Sequence, residues 1–129
     1  TTTAAKGASC VDQAAPKASV ASLKVTGGRL ALSGKASDKA AGCRATGVAS
    51  VQVTVTRAAG AKKCEYLLSS YKLSKATTCS APYALVAHGK TAWTLKSSRK
   101  LPKGKYAVTV KALDAAGNAK TLHRSVTVR

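Results

Sequence analysis

The 129-residue sequence contains neither phenylalanine nor methionine, and its only aromatic residues are one tryptophan and four tyrosines. A core with so few aromatic rings has to be built from valine, leucine and alanine, which bury less apolar area per side chain. Hydrophobic residues still make up 45% of the chain, which suffices for one packed domain of common size. We therefore expect a single domain whose core is supported by covalent cross-links.

Negative charge is equally scarce, because four acidic residues face 22 lysines and arginines and leave a net charge of +18. Such a surface attracts polyanions and repels copies of itself. No apolar stretch of about 18 residues occurs, so the sequence predicts no membrane span. The chain begins at Thr1 rather than at a methionine, as a mature chain does after removal of a signal peptide. We expect a secreted protein, extracellular or at the cell surface.

The shortage of acids also argues against catalysis and metal binding. A hydrolase needs a nucleophile with a base, or paired carboxylates, yet neither His88 nor His123 lies in a recognisable motif, and only folding could bring Asp114 and His123 together. Calcium takes six to eight oxygen ligands, for which Asp38 and Asp114 in a strongly positive chain are a poor set; turn capping is the simpler role for both. The sequence predicts no enzyme, no cofactor, no metal site and no small-molecule substrate.

The four cysteines are Cys10, Cys43, Cys64 and Cys79. An even number in a small chain without a C-x-x-C or H-x-x-x-H pair favours two disulfides and an oxidising compartment over a metal site. Three pairings are possible, and we favour neighbours, Cys64 with Cys79 and Cys10 with Cys43. Cys64 and Cys79 flank a predicted hairpin that turns at residues 69–70, and a disulfide closing ~15 residues contributes about 3 kcal/mol in the chain-entropy model.

Alternating hydrophobicity predicts β-strands along most of the chain. The clearest case is Val51, Val53 and Val55, which point one way while the residues between them are polar, as a half-buried strand requires. No helix and no repeat is evident. The pattern predicts an all-β domain over 16–129, preceded by a tail or lead-in strand over 1–15. The predicted strands are 19–25, 29–36, 48–57, 83–87, 92–96, 106–113 and 122–129, with hairpin arms at 64–68 and 71–75.

Three segments resemble bacterial immunoglobulin-like and fibronectin type III-like domains of secreted or surface proteins. They are SGKASD at 33–38, GVASVQV at 47–53 and LPKGKYAVTVKALDAAGN at 101–118. The resemblance covers 16–129 and implies an immunoglobulin-like antiparallel β-sandwich. The 57–82 stretch departs from a minimal domain of this kind, and we interpret its Cys64-to-Cys79 arm as a disulfide-closed hairpin insertion. It also implies a tyrosine corner at Tyr106, with the ring in the core and the hydroxyl bonded to nearby backbone. Such domains serve as spacers, adhesins and fibre subunits, so the fold says little about function.

Basic residues fall into two groups that form a candidate polyanion-binding surface. A nucleic-acid-binding surface would add stacking aromatics, and Tyr66 and Tyr71, on the arm, are the only candidates for that role. The simpler alternative is a basic, soluble surface without a particular ligand. The first group lies on the cysteine arm, which we define as residues 62–79, and the second lies within 96–105: Lys62, Lys63, Lys72 and Lys75; Lys96, Arg99, Lys100, Lys103 and Lys105.

Two functions remain open. The first is a non-enzymatic structural protein of the cell surface that assembles with copies of itself into a filament or layer. In that case Thr1, Thr2 and Thr3 would add to the sheet edge of a neighbouring copy. The alternative is a basic binding module for anionic polymers, either DNA, a wall polymer or an acidic polysaccharide.

Overall fold

The computed structural model describes residues 15–37, 47–80 and 83–129. Within these ranges the chain forms ten β-strands and no helix, and every strand pairing is antiparallel. The predicted all-β antiparallel fold is confirmed. The strands are β1 (Lys17–Thr26), β2 (Arg29–Ser37), β3 (Val48–Ala58), β4 (Lys63–Tyr66), β5 (Thr77–Thr78), β6 (Leu85–Val86), β7 (His88–Gly89), β8 (Ala92–Lys96), β9 (Gly104–Asp114) and β10 (Ala119–Val128).

The strands form two sheets that share one core. Sheet A has the order β1-β2-β8-β7, and sheet B has the order β10-β9-β3-β4-β5, with β6 also paired to β3. The core cluster takes residues from the inner faces of both sheets. Because each of them pairs on both sides, β2 is a central strand of sheet A, and β3 and β9 are central strands of sheet B. No helix that could span a membrane occurs among the described residues.

Period-two alternation decides which side chains enter this core. The predicted valines Val51, Val53 and Val55 are fully buried, and Val108 and Val110 of the neighbouring strand β9 are buried with them. Across the core, sheet A contributes mainly leucines and the single tryptophan. These residues are Leu30, Leu32, Trp93 and Leu95.

Trp93 fits into sheet A because the facing position is a glycine. A Cβ atom placed on Gly34 would lie 2.4 Å from Cζ2 of Trp93 and 2.0 Å from the carbonyl oxygen of Ser19. Both distances are far below van der Waals contact, so no other residue type fits here without displacing the ring or β1. The largest ring of the core therefore depends on the absence of a side chain at position 34.

The cysteine arm is only partly the predicted hairpin. Its turn lies where it was expected, but residues 71–75 are not a strand; a single bridge joins Leu67 to Leu73, and β4 pairs instead with β5. Ser74 explains the break, because its hydroxyl accepts from the Tyr66 N–H at 3.0 Å while its own N–H donates to the Tyr66 carbonyl at 2.8 Å. The Ser74 hydroxyl thus accepts the hydrogen bond that a backbone carbonyl would accept in a regular strand pair.

The disulfide between Cys64 and Cys79 is present, with the Cα atoms 5.0 Å apart, as the sequence predicted. Of the expected strand over 83–87, only Leu85–Val86 is a strand, β6 of sheet B. The chain then crosses at Ala87 to sheet A, where β7 begins at His88. The predicted partner cysteines Cys10 and Cys43 lie outside the described residues, as do Asp38 and the segment Thr1–Thr3.

Candidate functional site

Asp114 and His123, the pair that folding would have to join for catalysis, are far apart. The buried Asp114 carboxylate accepts from the backbone N–H groups of Ala116 at 3.0 Å and Asn118 at 2.8 Å, and from the Asn118 side chain at 3.0 Å. His123 lies opposite Thr109, five residues or about 16 Å along β9 from Asp114. Asp114 therefore caps its turn, as expected. No cluster of three metal-ligating side chains occurs among the described residues.

The other acidic residue in the described ranges is Glu65, and it is also occupied. Its Oε1 lies 2.8 Å from Nη2 of Arg57 and accepts from Nε at 2.9 Å. Arg57 further donates from Nη1 to the Lys103 carbonyl at 2.9 Å, and the hydrogen bond with Glu65 raises the pKa of the arginine. This is the one salt bridge between described residues, so the remaining described lysines and arginines have no acidic partner there.

Four of these unpaired cations line one surface cleft of about 470 Å³, which we call the basic cleft. Three separate segments build it: the start of β2, the turn of the cysteine arm and the loop between β8 and β9. No carboxylate is found among the described residues that line it. The cations are Arg29, Lys72, Arg99 and Lys100, and the other lining residues are Tyr71, Leu73, Ser98 and Pro102.

The loop between β8 and β9 is fixed to β2 by hydrogen bonds through the buried Ser97. The Ser97 N–H donates to the Leu30 carbonyl at 2.9 Å, and the Leu30 N–H donates back to the Ser97 hydroxyl at 2.9 Å. The hydroxyl in turn donates to the Arg99 carbonyl at 3.0 Å, and the Leu101 N–H donates to the Gly28 carbonyl at 2.8 Å. Both cations of this loop are thus held beside the start of β2.

The arm contributes Lys72 from an equally well fixed turn. The Leu67 N–H donates to the Val55 carbonyl at 2.8 Å, and the Tyr71 N–H donates to the Leu68 carbonyl at 2.8 Å. Tyr71 itself has φ 60°, a conformation that bulky residues rarely adopt and that concentrates at functional sites. Its half-buried ring packs against the core and lines the cleft.

The structure brings together only some of the nine predicted basic residues. Lys72, Arg99 and Lys100 share the basic cleft, and Lys103 joins Lys100 at an adjoining hollow of about 550 Å³. The exposed Lys96 and Lys105 lie in strands of different sheets. Lys62 and Lys63 lie beside the disulfide, where the Cys79 N–H donates to the Lys62 carbonyl at 3.3 Å, and Lys75 is exposed on the arm.

Sequence reasoning missed Arg29 as a member of this group. Its only local signal is its position directly after the Gly27–Gly28 turn, which the sequence does show. The turn places Arg29 at the first position of β2, opposite Thr26. Only the hydrogen bonds between β2 and the distant loop bring it near Arg99.

The four tyrosines have different surroundings. Tyr66, one of the two candidates for an exposed stacking ring, is not available for that role: it is 1% exposed, its hydroxyl donates to the Thr78 carbonyl at 3.0 Å, and its ring centroid lies 5.2 Å from that of the exposed Tyr83. The Tyr106 hydroxyl donates to the Pro102 carbonyl at 2.6 Å from a buried ring, as predicted. Burial raises the pKa of Tyr106.

No protein-family model matches the chain, and neither a curated protein nor a solved structure matches it significantly. The resemblance to immunoglobulin-like domains therefore remains a prediction based on the three sequence segments.

Proposed function

We propose that the chain is an immunoglobulin-like β-sandwich domain. The order β1-β2-β8-β7 in one sheet and β10-β9-β3 in the other corresponds to the A-B-E-D and G-F-C orders of that class. The hydroxyl of Tyr106, bonded four residues upstream near the start of β9, corresponds to the tyrosine corner. The tryptophan lies on β8 rather than on the strand that carries it in antibody domains, and the disulfide lies in the arm.

We further propose that the domain works outside the cell and is not an enzyme. The Cys64–Cys79 disulfide supports this location, since such bonds persist in oxidising compartments. Among the described candidates for catalysis, the buried carboxylate of Asp114 is fully engaged by the backbone of its own turn.

We infer that its function is to bind anionic polymers through the basic cleft. The observation that carries this proposal is the convergence of four cations from three segments on one cleft. Neutralising polymer charges at such a cleft releases counterions, which is the main favourable term in polyanion binding. Because the lining segments are fixed by backbone hydrogen bonds, little ordering cost is added on binding.

Self-assembly remains a second candidate, supported by two long edge strands. Both β1 and β10 pair on one side only, which leaves backbone groups to which a strand can be added. The two strands lie next to each other at the same side of the two sheets, so an added strand has to enter there. The segment Thr1–Thr3 predicted to do so lies outside the described residues. Repulsion between copies of charge +18 opposes assembly, although it is screened beyond about 8 Å at physiological salt. Sedimentation of the full chain and of a variant lacking residues 1–9 tests this candidate, which requires concentration-dependent assembly that the deletion abolishes.

The binding proposal is tested with a short polyphosphate chain as probe, because it supplies charge without bases or sugars. We expect the logarithm of affinity to fall with the logarithm of salt concentration with a slope near 3 for four contacts. The quadruple variant Arg29→Gln, Lys72→Gln, Arg99→Gln, Lys100→Gln removes most of that slope. Its matched control removes four exposed cations of sheet B: Lys105→Gln, Lys111→Gln, Lys120→Gln and Arg124→Gln.

Calorimetric titration of the two quadruple variants distinguishes binding at the basic cleft from binding that depends on net charge alone. Equal losses in both would mean that net charge alone drives binding and that the cleft is not a site. An affinity that does not depend on salt, or no binding at low salt, would overturn the proposed function altogether.

A further inference from the structure

The outer face of sheet A is a flat surface whose composition follows from the strand register. Position 31 at the centre of β2 lies between Lys24 of β1 and Lys96 of β8, and position 33 lies between Ser22 and Thr94. Directly opposed residues in antiparallel strands point to the same side. Because Leu30, Leu32 and Leu95 face the core, all of these residues face outwards.

Five cations share this surface, which we call the cationic face. Arg29 lies at one end of β2, at the basic cleft, and Lys35 lies six residues further along, or about 20 Å. Lys24 and Lys96 lie on either side of Ala31. Two strand spacings separate these two lysines, so their Cα atoms are about 10 Å apart. Lys17 lies opposite Ser37 at the far end. All five are exposed, and both described carboxylates belong to the other sheet.

Small hydroxyl-bearing side chains fill the space between these cations. Ser22, Ser33 and Thr94 form a row across three strands, and Ser19 stands beside Lys35. His88 ends the row on β7, opposite Thr94. Since none of these side chains is large, a ligand can lie against the sheet and reach the hydroxyl groups and the charges together.

We propose that the cationic face continues the basic cleft and binds an extended, unbranched acidic polysaccharide that lies along β2. This assignment rests on the proposed polyanion-binding function and specifies its ligand. Such a polymer carries hydroxyl groups and regularly spaced negative charges, which match the alternation of hydroxyl rows and lysines. From Arg29 to Ser37 the face extends over about 27 Å, so several sugar units contact it at once.

The absence of ring stacking separates this ligand from single-stranded nucleic acid. Proteins that hold single strands stack successive bases on aromatic side chains. Within the described strands of sheet A the only phenyl or indole ring is that of Trp93, which is 1% exposed and faces the core. Tyr71 is the one tyrosine that lines the basic cleft, and the imidazole of His88 lies at the β7 margin of the face. The surface therefore offers two separate rings and no series of stacking positions along β2.

The outer face of sheet B provides an internal control for charge. It is also rich in hydroxyl groups, because Thr54 lies opposite Thr109 and Thr109 lies opposite His123. Its central strand β9 carries only Lys105 and Lys111 as outward cations. Hydroxyl groups without dense positive charge should not hold an acidic polymer.

The test uses heparin fragments of increasing length, from four to sixteen sugar units, with the folded full chain. The face variant carries Lys24→Gln, Lys35→Gln and Lys96→Gln. The control variant carries Lys105→Gln, Lys111→Gln and Lys120→Gln, which remove the same charge from exposed positions of sheet B. Circular dichroism and thermal melting establish that both variants fold as the wild type does.

We expect wild-type affinity to rise with fragment length until the fragment covers the face. In the face variant the longest fragments bind about 100-fold more weakly at ~0.1 M salt, and the salt slope falls by about 2 for three lost contacts. Four-unit fragments are too short to contact the basic cleft and the whole face at once, so the face substitutions weaken their binding far less than that of the longest fragments. The control variant changes each affinity far less.

Three other outcomes would contradict the cationic face as a site, the proposed function or the choice of ligand. If long fragments bind the face and control variants equally well while cleft substitutions still abolish binding, the cationic face is not a site and the proposed function survives. If neither polyphosphate nor any fragment binds the wild type at low salt, the proposed function fails and the inference fails with it. If single-stranded DNA of matched charge binds as tightly and depends equally on Lys24, Lys35 and Lys96, the assignment to polysaccharide is wrong.

Discussion

The two sheets differ most on their outer faces. Sheet A presents five cations among small hydroxyl side chains, whereas the carboxylates of Glu65 and Asp114 both belong to strands of sheet B. Each carboxylate is bound locally, one to Arg57 and one within its own turn. Among the described residues the charge is thus unevenly distributed, because both carboxylates lie in strands of one sheet and five exposed cations share the outer face of the other.

The inner faces differ in a related way. Sheet B packs valines of similar size in regular alternation, with the ring of Tyr106 at the start of β9, whereas sheet A packs its tryptophan ring over a glycine. The buried indole N–H of Trp93 has no hydrogen-bond partner among the described residues, so its contribution comes from packing. We expect sheet A to be the more sensitive of the two to a change of a single methyl group.

The largest expected effect is that of Gly34→Ala, which adds a methyl group 2.0 Å from the Ser19 carbonyl oxygen and 2.4 Å from the Trp93 ring. We expect a loss of about 3 kcal/mol or more in the free energy of unfolding. The matched change in sheet B is Val53→Ala, which we expect to cost about 2 kcal/mol. Urea unfolding measures both, and a smaller loss for Gly34→Ala than for Val53→Ala would contradict this account of Trp93.

The next effect concerns the cysteine arm on sheet B. The double variant Cys64→Ser, Cys79→Ser opens a loop with a sequence separation of 15 residues and should lose about 3 kcal/mol. Calorimetry should show a melting temperature lower by many degrees. An unchanged melting temperature would mean that the valine core stabilises the arm without the cross-link.

A smaller effect is expected at the start of β9. Tyr106→Phe removes the hydroxyl that donates to the Pro102 carbonyl, which should cost about 1 kcal/mol. Burial, the main cause, raises the pKa of Tyr106 above its ordinary value of 10.0. Since the raised pKa belongs to the folded state, wild-type stability should fall as the pH rises above 10 through that pKa. The variant should fall less steeply; parallel profiles would show that Tyr106 is not linked to folding in this way.

The smallest effect compares surface charge on the two sheets. Lys96→Glu relieves repulsion from Lys24 and Arg29 and should raise stability by about 0.5 kcal/mol at low salt. Lys111→Glu on sheet B should give less. Thermal melting at low salt and at 1 M salt checks both, because salt should remove the difference. A gain for Lys96→Glu that persists at 1 M salt would contradict a charge-based cause.

Local patterns predicted the strands and the arm disulfide well. The alternation around Val53 is visible over a few residues, and the predicted strand 92–96 agrees with β8. Cys64 and Cys79 could be paired because a short turn lies between them in sequence. Each of these features depends on neighbours along the chain.

Features that depend on pairing between distant segments could not be predicted in the same way. The burial of Tyr66 requires the arm to fold back so that Thr78 and Tyr83 reach it. The basic cleft requires the loop after β8 to bond to the start of β2, which places Arg99 beside Arg29. Composition indicated that the surface is basic, but only the register shows which lysines face the same way.

A nuclear magnetic resonance titration of the isotope-labelled chain with a short polyphosphate tests directly whether the basic cleft binds anions. We expect backbone amide signals to shift at the basic cleft, around Arg29, Tyr71, Lys72, Arg99 and Lys100, and those shifts to disappear at high salt. Amides around Thr109 and His123 on the outer face of sheet B should remain unchanged. Shifts of equal size on both sheets, or shifts centred on sheet B, would contradict a binding site at the basic cleft.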